Sequence, residues 1–170
     1  MTTKLTAPVL SGTPRRNQTT STVALSELAN PWRDLWNGDL TITPKIISED
    51  FVAHAAPLTG SGADKIHGRD ALDGWVSGIH SVLPNLAFTI EVGPITDRDY
   101  LVVRWRANGT YVGGLPGAPA SAVGREVNFT GTDILRVVDG KIAEYWADAD
   151  SLLFVQQLGL TEVPAATPKH

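Results

Sequence analysis

The chemistry that this sequence offers begins with two carboxylates, Asp148 and Asp150, at the end of the run KIAEYWADAD. The run has a β-strand pattern, and side chains two residues apart on a strand point to the same face. Both aspartates would then share a face with Trp146, and they line a cavity if this tryptophan does. A carboxylate in an apolar cavity loses hydration, which raises its pKa toward neutrality. Such a group is able to take up and return a proton.

Asp150 also has a structural interpretation. It directly precedes residues 151–158, which are predicted to form a short helix, and an aspartate in that position caps the first backbone N–H groups. Capping stabilises the charged carboxylate, whereas acid–base work in a cavity favours the neutral form. The sequence leaves both interpretations open.

Two further polar residues interrupt apolar strand patterns. Arg104 lies in YLVVRW, where an inward-facing guanidinium needs an aspartate or a substrate carbonyl as its partner. Arg106 and Asn108 share its face, which favours solvent exposure. His54 ends the run DFVAH and is either an auxiliary acid or base at a pocket mouth or a core histidine.

Large aromatic residues are candidates for a pocket wall or for a filled core. We expect one or two of the tryptophans to line a ligand site. The candidates are Trp36, Trp75 and Trp146.

Composition excludes several other classes of function. A formal net charge of −4 without a dense basic run argues against nucleic acid as a partner. The chain has no cysteine, and its 4 histidines lack the spacing of zinc motifs, so we expect no metal. No stretch approaches the roughly 20 apolar residues that cross a bilayer, so we expect no membrane association. Polar residues follow Arg15 and Arg16 where a secretory signal would have an apolar stretch, so we expect a cytoplasmic location.

The elements that position these residues follow from periodicity. One domain over residues 21–160 is expected, with disordered tails at 1–20 and 161–170. An apolar stripe through Leu25, Trp32 and Leu35 predicts a first helix, in which Pro31 makes a kink or Asn30 caps a shorter helix.

Two more helices are predicted before the strands. Thr43 and Pro44 start a second helix that runs into KIISEDF, followed by a strand at residues 51–55. Asp70 caps a third helix, which Pro84 ends.

After residue 84 the period changes to two, which predicts four long strands: LAFTIEV, YLVVRWRA, EVNFTGTDILRVV and KIAEYWADA. Asp139-Gly140 predicts a tight hairpin between the last two. Helices followed by an antiparallel meander indicate an α+β domain whose curved sheet encloses a pocket. The glycine-rich residues 112–124 form either a lid over that pocket or an ordinary surface loop.

Together these residues resemble the SnoaL-like polyketide cyclase family over about residues 22–160. The resemblance rests on LWNGD, FVAH, HGR, RW leading to GT, DGKIAEYWADAD and QLG, in that order.

The resemblance implies a cone-shaped barrel like that of nuclear transport factor 2, with a curved antiparallel or mixed sheet packed against three N-terminal helices. It also implies a homodimer formed through the outer sheet face. A carboxylate without metal or cofactor would close a polyketide ring by aldol chemistry on a small apolar carbonyl compound.

By its W-x-x-x-D motif, the catalytic aspartate of the family falls on Asp150. To it we add Asp148 and His54 as further catalytic candidates, and Arg104 and Tyr111 as candidate substrate-binding residues. Tyr111 stands where many members have histidine, so it donates a hydrogen bond rather than acting as a base. The alternatives are a non-catalytic ligand-binding or assembly module of the same fold, or an epoxide hydrolase or isomerase.

Overall fold

The computed structural model describes residues 25–55 and 66–160. The two predicted tails lie outside these residues, as do residues 56–65 before the third helix. Within the described part, no helix is long and apolar enough to cross a membrane.

In residues 25–55 and 66–160, six strands form one mixed sheet and three helices precede its long meander, which confirms the α+β prediction. The strands are β1 (Ile47–His54), β2 (Ile66–His67), β3 (Ala87–Asp97), β4 (Tyr100–Thr110), β5 (Glu126–Val138) and β6 (Lys141–Ala149). The helices are α1 (Ala29–Trp36), α2 (Thr43–Ile46), α3 (Gly68–Val82) and α4 (Ser151–Gln157), with short 3-10 turns at Leu40–Ile42 and Ala120–Ala122.

The strand order is β2-β1-β6-β5-β4-β3. The β1–β6 pair is parallel and the others are antiparallel. The predicted hairpin between β5 and β6 is confirmed: Asp139 and Gly140 have φ of +51° and +78°, the positive values that a two-residue type I′ turn requires. This turn pairs residues 131–138 of β5 with β6.

Three predicted boundaries are wrong. Helix α1 begins at Ala29, so Pro31 lies in its first turn, where a missing N–H costs little, and Asn30 is not the cap. Helix α3 begins at Gly68, which places Asp70 in its first turn rather than at the cap. Helix α2 ends at Ile46 because Ile47 already pairs with β6.

The core lies between the helices and the inner face of the sheet. On β4, Leu101, Val103, Trp105 and Ala107 are buried, whereas Arg104 on the other face is exposed. The Trp105 ring occupies the space that a side chain would take at its cross-strand partner Gly131. A Cβ at Gly131 would also lie 2.7 Å from the backbone oxygen of Asp148, so glycine is required here.

We therefore expect Gly131→Ala to destabilise the protein by about 1–3 kcal/mol through overpacking. Gly78→Ala is the matched control, because a Cβ there meets nothing within 4 Å and alanine favours the helix by roughly 0.5–1 kcal/mol. Urea unfolding of both variants checks this pair. A wild-type midpoint for Gly131→Ala would show that the ring and the strand adjust freely.

Candidate active site

An apolar cavity of about 530 Å³ lies between α3, the inner face of the sheet and the loop after β4. Small residues of α3, Gly74 and Gly78, line it, and Gly114 and Leu115 contribute from the loop, so the predicted lid segment does border the pocket. Aromatic rings make up much of the remaining wall: Trp36, Trp75, Phe88, Trp105, Phe129, Tyr145 and Phe154.

Asp133 is a carboxyl group in the wall of this apolar cavity. Only 2 % of the residue is exposed. Its Oδ2 accepts a hydrogen bond from Trp32 Nε1 at 2.8 Å, and its Oδ1 accepts one from the Tyr145 hydroxyl at 2.9 Å. These two donors fix the orientation of the carboxyl group.

Burial raises the pKa of Asp133 to about 6, against an ordinary value of 3.8. Hydrogen bonding by Trp32, Trp105 and Tyr145 opposes this rise without cancelling it. Asp133 therefore gains and loses a proton near neutral pH, as an acid–base group must.

Tyr145 remains a hydrogen-bond donor under these conditions. Its own burial raises the pKa of the phenol well above 10, and the neighbouring Asp133 charge raises it further. The phenol therefore stays protonated while the carboxyl group titrates.

Asp133 is not among the site residues predicted from the sequence, although a signal was present. Alternate residues of β5 face the core, and Asp133 is the one acid among them: Val127, Phe129, Gly131, Asp133, Leu135 and Val137. A single carboxylate on the buried face of a strand requires a partner or a function.

Trp146 was a candidate for the pocket wall, but its side chain does not line the cavity. The register of β6 against β5 shifts next to Arg136, so Ile142 and Tyr145, three residues apart, are both buried. After this bulge Tyr145, Ala147 and Ala149 line the cavity, and Trp146 lies on the outer face.

In the described residues, neither Asp148 nor Asp150 is a hydrogen-bond partner of Asp133. Asp148 is exposed at the border of the cavity. Asp150 is exposed at the N-cap of α4, yet its carboxylate accepts a hydrogen bond from the Thr130 hydroxyl, and the described residues show no capping bond from it. Arg104 donates to the same hydroxyl at 3.0 Å, so these groups form a cluster outside the cavity wall.

His54 lies on the outer face with Trp146. The two rings stack at 5.0 Å, and His54 Nε2 lies 2.7 Å from Glu144 Oε1. Glu144 also accepts from Arg136 at 2.7 Å, and these hydrogen bonds, that of Arg136 first, lower the pKa of the glutamate.

Of the other predicted substrate-binding residues, Trp36 and Trp75 do line the cavity. Tyr111 is buried, and its hydroxyl accepts a hydrogen bond from the Leu115 backbone at 2.9 Å. In the part of the chain that the structure describes, Tyr111 thus anchors the base of the loop instead of lining the pocket.

Several apolar side chains on the outer face of the sheet are exposed, among them Val92, Ile95, Tyr100 and Ile134. The expected homodimer through this face stays a prediction. Sedimentation equilibrium tests it, and a monomer at all concentrations would contradict it.

Comparison with known proteins adds the family. The family model for the SnoaL-like polyketide cyclase matches residues 26–158. The chain belongs to the SnoaL-like polyketide cyclase family. No curated protein matches this SnoaL-like chain at a significant level.

Solved structures with a similar fold include two candidate polyketide cyclases. A candidate polyketide cyclase from Bacillus cereus ATCC 10987 is 27% identical, with a TM-score of 0.63 over 82% of this chain and 83% of that chain. IdmH, a candidate polyketide cyclase from Streptomyces antibioticus, is 25% identical, with a TM-score of 0.69 over 80% of this chain and 99% of that chain. A Catenulispora acidiphila protein with a ketosteroid isomerase-like fold, 17% identical, has a TM-score of 0.62 over 84% of this chain and 98% of that chain, which shows a shared fold.

The raised pKa of Asp133 has a consequence for stability. Between about pH 4 and about pH 6 the folded protein binds more protons at this group than the unfolded chain does, so its contribution to stability falls as pH rises through that window. At about 1.4 kcal/mol per pKa unit, the total is roughly 3 kcal/mol.

We expect Asp133→Asn to lack this slope. The free energy of unfolding of both proteins, measured by urea titration from pH 4 to pH 8, gives the difference directly. Glu144 contributes the opposite slope in both proteins and cancels in that difference. Parallel profiles for the two proteins would show that Asp133 does not titrate in this window.

Proposed function

We propose that this SnoaL-like protein is a polyketide-cyclase-type enzyme that closes a ring by an intramolecular aldol reaction, with Asp133 as the proton-transfer group. The observation that carries the proposal is the buried Asp133 in the wall of an apolar cavity, with a pKa of about 6. Family membership supports the same class of reaction.

The proposed reaction begins with the Asp133 carboxylate. It takes a proton from a carbon flanked by two carbonyl groups, and the released electron pair enters the enolate. The enolate carbon forms a bond to the carbon of a third carbonyl group in the same molecule, and the C=O π electron pair moves to its oxygen to give an alkoxide. Asp133 then returns its proton to that alkoxide, so neither protons nor electrons are gained or lost overall, and the proposed step uses no cofactor.

The surroundings of Asp133 suit this cycle. Trp32 and Tyr145 hold the carboxyl group in one orientation, which avoids rearrangement as it changes charge. The aromatic wall favours a flat, apolar ligand, and about 530 Å³ accommodates one with several rings.

A synthetic probe tests the proposal. In 1-[2-(2-oxopropyl)phenyl]butane-1,3-dione, the carbon between two carbonyls closes a six-membered ring on the third, and loss of water gives an absorbing naphthol. We expect turnover above the spontaneous rate, rising with pH through about 6 as Asp133 loses its proton. Asp133→Asn should lower kcat by about 10²–10⁴-fold.

Asp97→Asn is the control, because it removes an exposed carboxylate at the end of β3. Asp150→Asn separates our assignment from the one that the family resemblance implies. Loss of turnover in Asp150→Asn with full turnover in Asp133→Asn would contradict our assignment. Binding of the probe without turnover would instead indicate a ligand-binding module.

A further inference from the structure

Within the described residues, the loop between β4 and β5, residues 111–125, contributes one large apolar side chain to the cavity. That side chain is Leu115, which lines the same cavity as Asp133 and packs against the hydrophobic core. The residues on either side of it, Gly114 and Pro116, are exposed. The loop therefore contacts a ligand in the cavity mainly through Leu115.

Backbone hydrogen bonds hold the base of this loop. The N–H of Tyr111 donates to the Arg125 carbonyl at 2.9 Å, and the N–H of Gly124 donates to the Tyr111 carbonyl at 2.8 Å. The N–H of Val112 donates to the Val82 carbonyl at the end of α3, at 3.0 Å. These bonds fix where the loop begins and ends, but they do not involve the residue that reaches the cavity.

Leu115 is held by the side chain of Tyr111. The backbone N–H of Leu115 donates to the Tyr111 hydroxyl at 2.9 Å. Tyr111 is 2 % exposed, so close packing in the core keeps this acceptor in one position. The Leu115 carbonyl accepts from the N–H of Ala118 at 3.2 Å, but that bond lies within the loop. Among the hydrogen bonds of the described residues, the one to the Tyr111 hydroxyl thus ties Leu115 to the core.

We propose that Tyr111 is a positioning residue whose hydroxyl holds Leu115 in the cavity wall, where the leucine side chain contacts the bound ligand. This inference rests on the proposed function, because it concerns how the same cavity retains its ligand. In the part of the chain that the structure describes, Tyr111 does not line the cavity, so its effect on the ligand passes through Leu115.

The hydrogen bond and the ligand contact favour the same position of the loop. Without the hydroxyl, the Leu115 N–H can bond to water as well when the loop moves away from the cavity. A ligand that buries apolar surface against Leu115 favours the position in which the leucine lines the cavity. Removal of either interaction should therefore weaken the other.

A double-mutant cycle tests this coupling. The probe is prodan, 6-propionyl-2-(dimethylamino)naphthalene, a neutral fluorescent ketone that has no second carbonyl group and cannot close a ring. Tyr111→Phe removes only the hydroxyl and should raise the Kd of prodan about three- to tenfold. Leu115→Ala should also raise the Kd. Adding Tyr111→Phe to Leu115→Ala should then change the Kd by less than about twofold, because the side chain that Tyr111 positions is gone.

Tyr100→Phe is the matched control. It removes a tyrosine hydroxyl from an exposed position beside Trp146 on the outer face, and it should leave the Kd unchanged. An equal rise in Kd from Tyr111→Phe in both backgrounds would overturn the inference, because Tyr111 would then not act through Leu115. A wild-type Kd in Tyr111→Phe or in Leu115→Ala would overturn it too, as would failure of the wild-type protein to bind prodan.

A second measurement uses the wild-type protein alone, in case Tyr111→Phe does not fold. Hydrogen exchange followed by NMR reports the Leu115 amide, which the Tyr111 hydroxyl protects. Because its neighbours in the loop are exposed, this amide exchanges through local opening of the loop. Prodan should slow its exchange, since the ligand favours the closed position. An exchange rate that prodan leaves unchanged would contradict the coupling.

These outcomes are separable from the test of the proposed function, because prodan reports binding without turnover. Additive effects of Tyr111→Phe and Leu115→Ala with retained cyclisation contradict only the role of Tyr111. Retained coupling without cyclisation contradicts only the proposed function.

Discussion

The cost of placing a carboxyl group in an apolar interior is the constraint on which the site depends. An isolated charge there is expensive, so the group must be neutralised, paired or hydrogen-bonded. At Asp133 the protein uses two neutral donors, Trp32 and Tyr145, and no basic residue is paired with the carboxylate among the described residues. A neutral donor set leaves the proton affinity high, whereas an arginine would lower it.

The geometry of β5 and β6 brings Asp133 and its hydrogen-bond donor Tyr145 together. Asp133 faces the cavity because β5 alternates faces without interruption, and Gly131, two residues earlier, leaves room for the Trp105 ring. The bulge in β6 brings Tyr145 to the same face, where its hydroxyl reaches Asp133. The charged clusters around Glu144 and Thr130 remain on the opposite face, so they do not act on Asp133 as hydrogen-bond partners.

Much of the fold was predictable because it depends on local patterns. The bounds of β5 and β6 and the turn at Asp139 and Gly140 follow from alternation and turn chemistry, and the structure confirms them. The start of β1 at Ile47 was not predictable in this way, because a parallel pairing with a strand nearly a hundred residues later determines it.

The site was harder to predict than the fold. A bulge of one residue changes which side chains face the cavity, and no local signal in KIAEYWADAD marks it. Asp133 carried a signal in its buried neighbours, but its partners come from α1 and β6, so only the folded arrangement shows that the carboxyl group is held by neutral donors.

The most direct test of this account is the pKa of Asp133 in the unliganded protein. A titration of its side-chain carboxyl ¹³C resonance by NMR, assigned with Asp133→Asn, gives that value. We predict a midpoint near pH 6. A midpoint at or below the ordinary value of 3.8 would contradict the account, since the carboxylate would then be too weak a base to exchange a proton with a ligand near neutral pH.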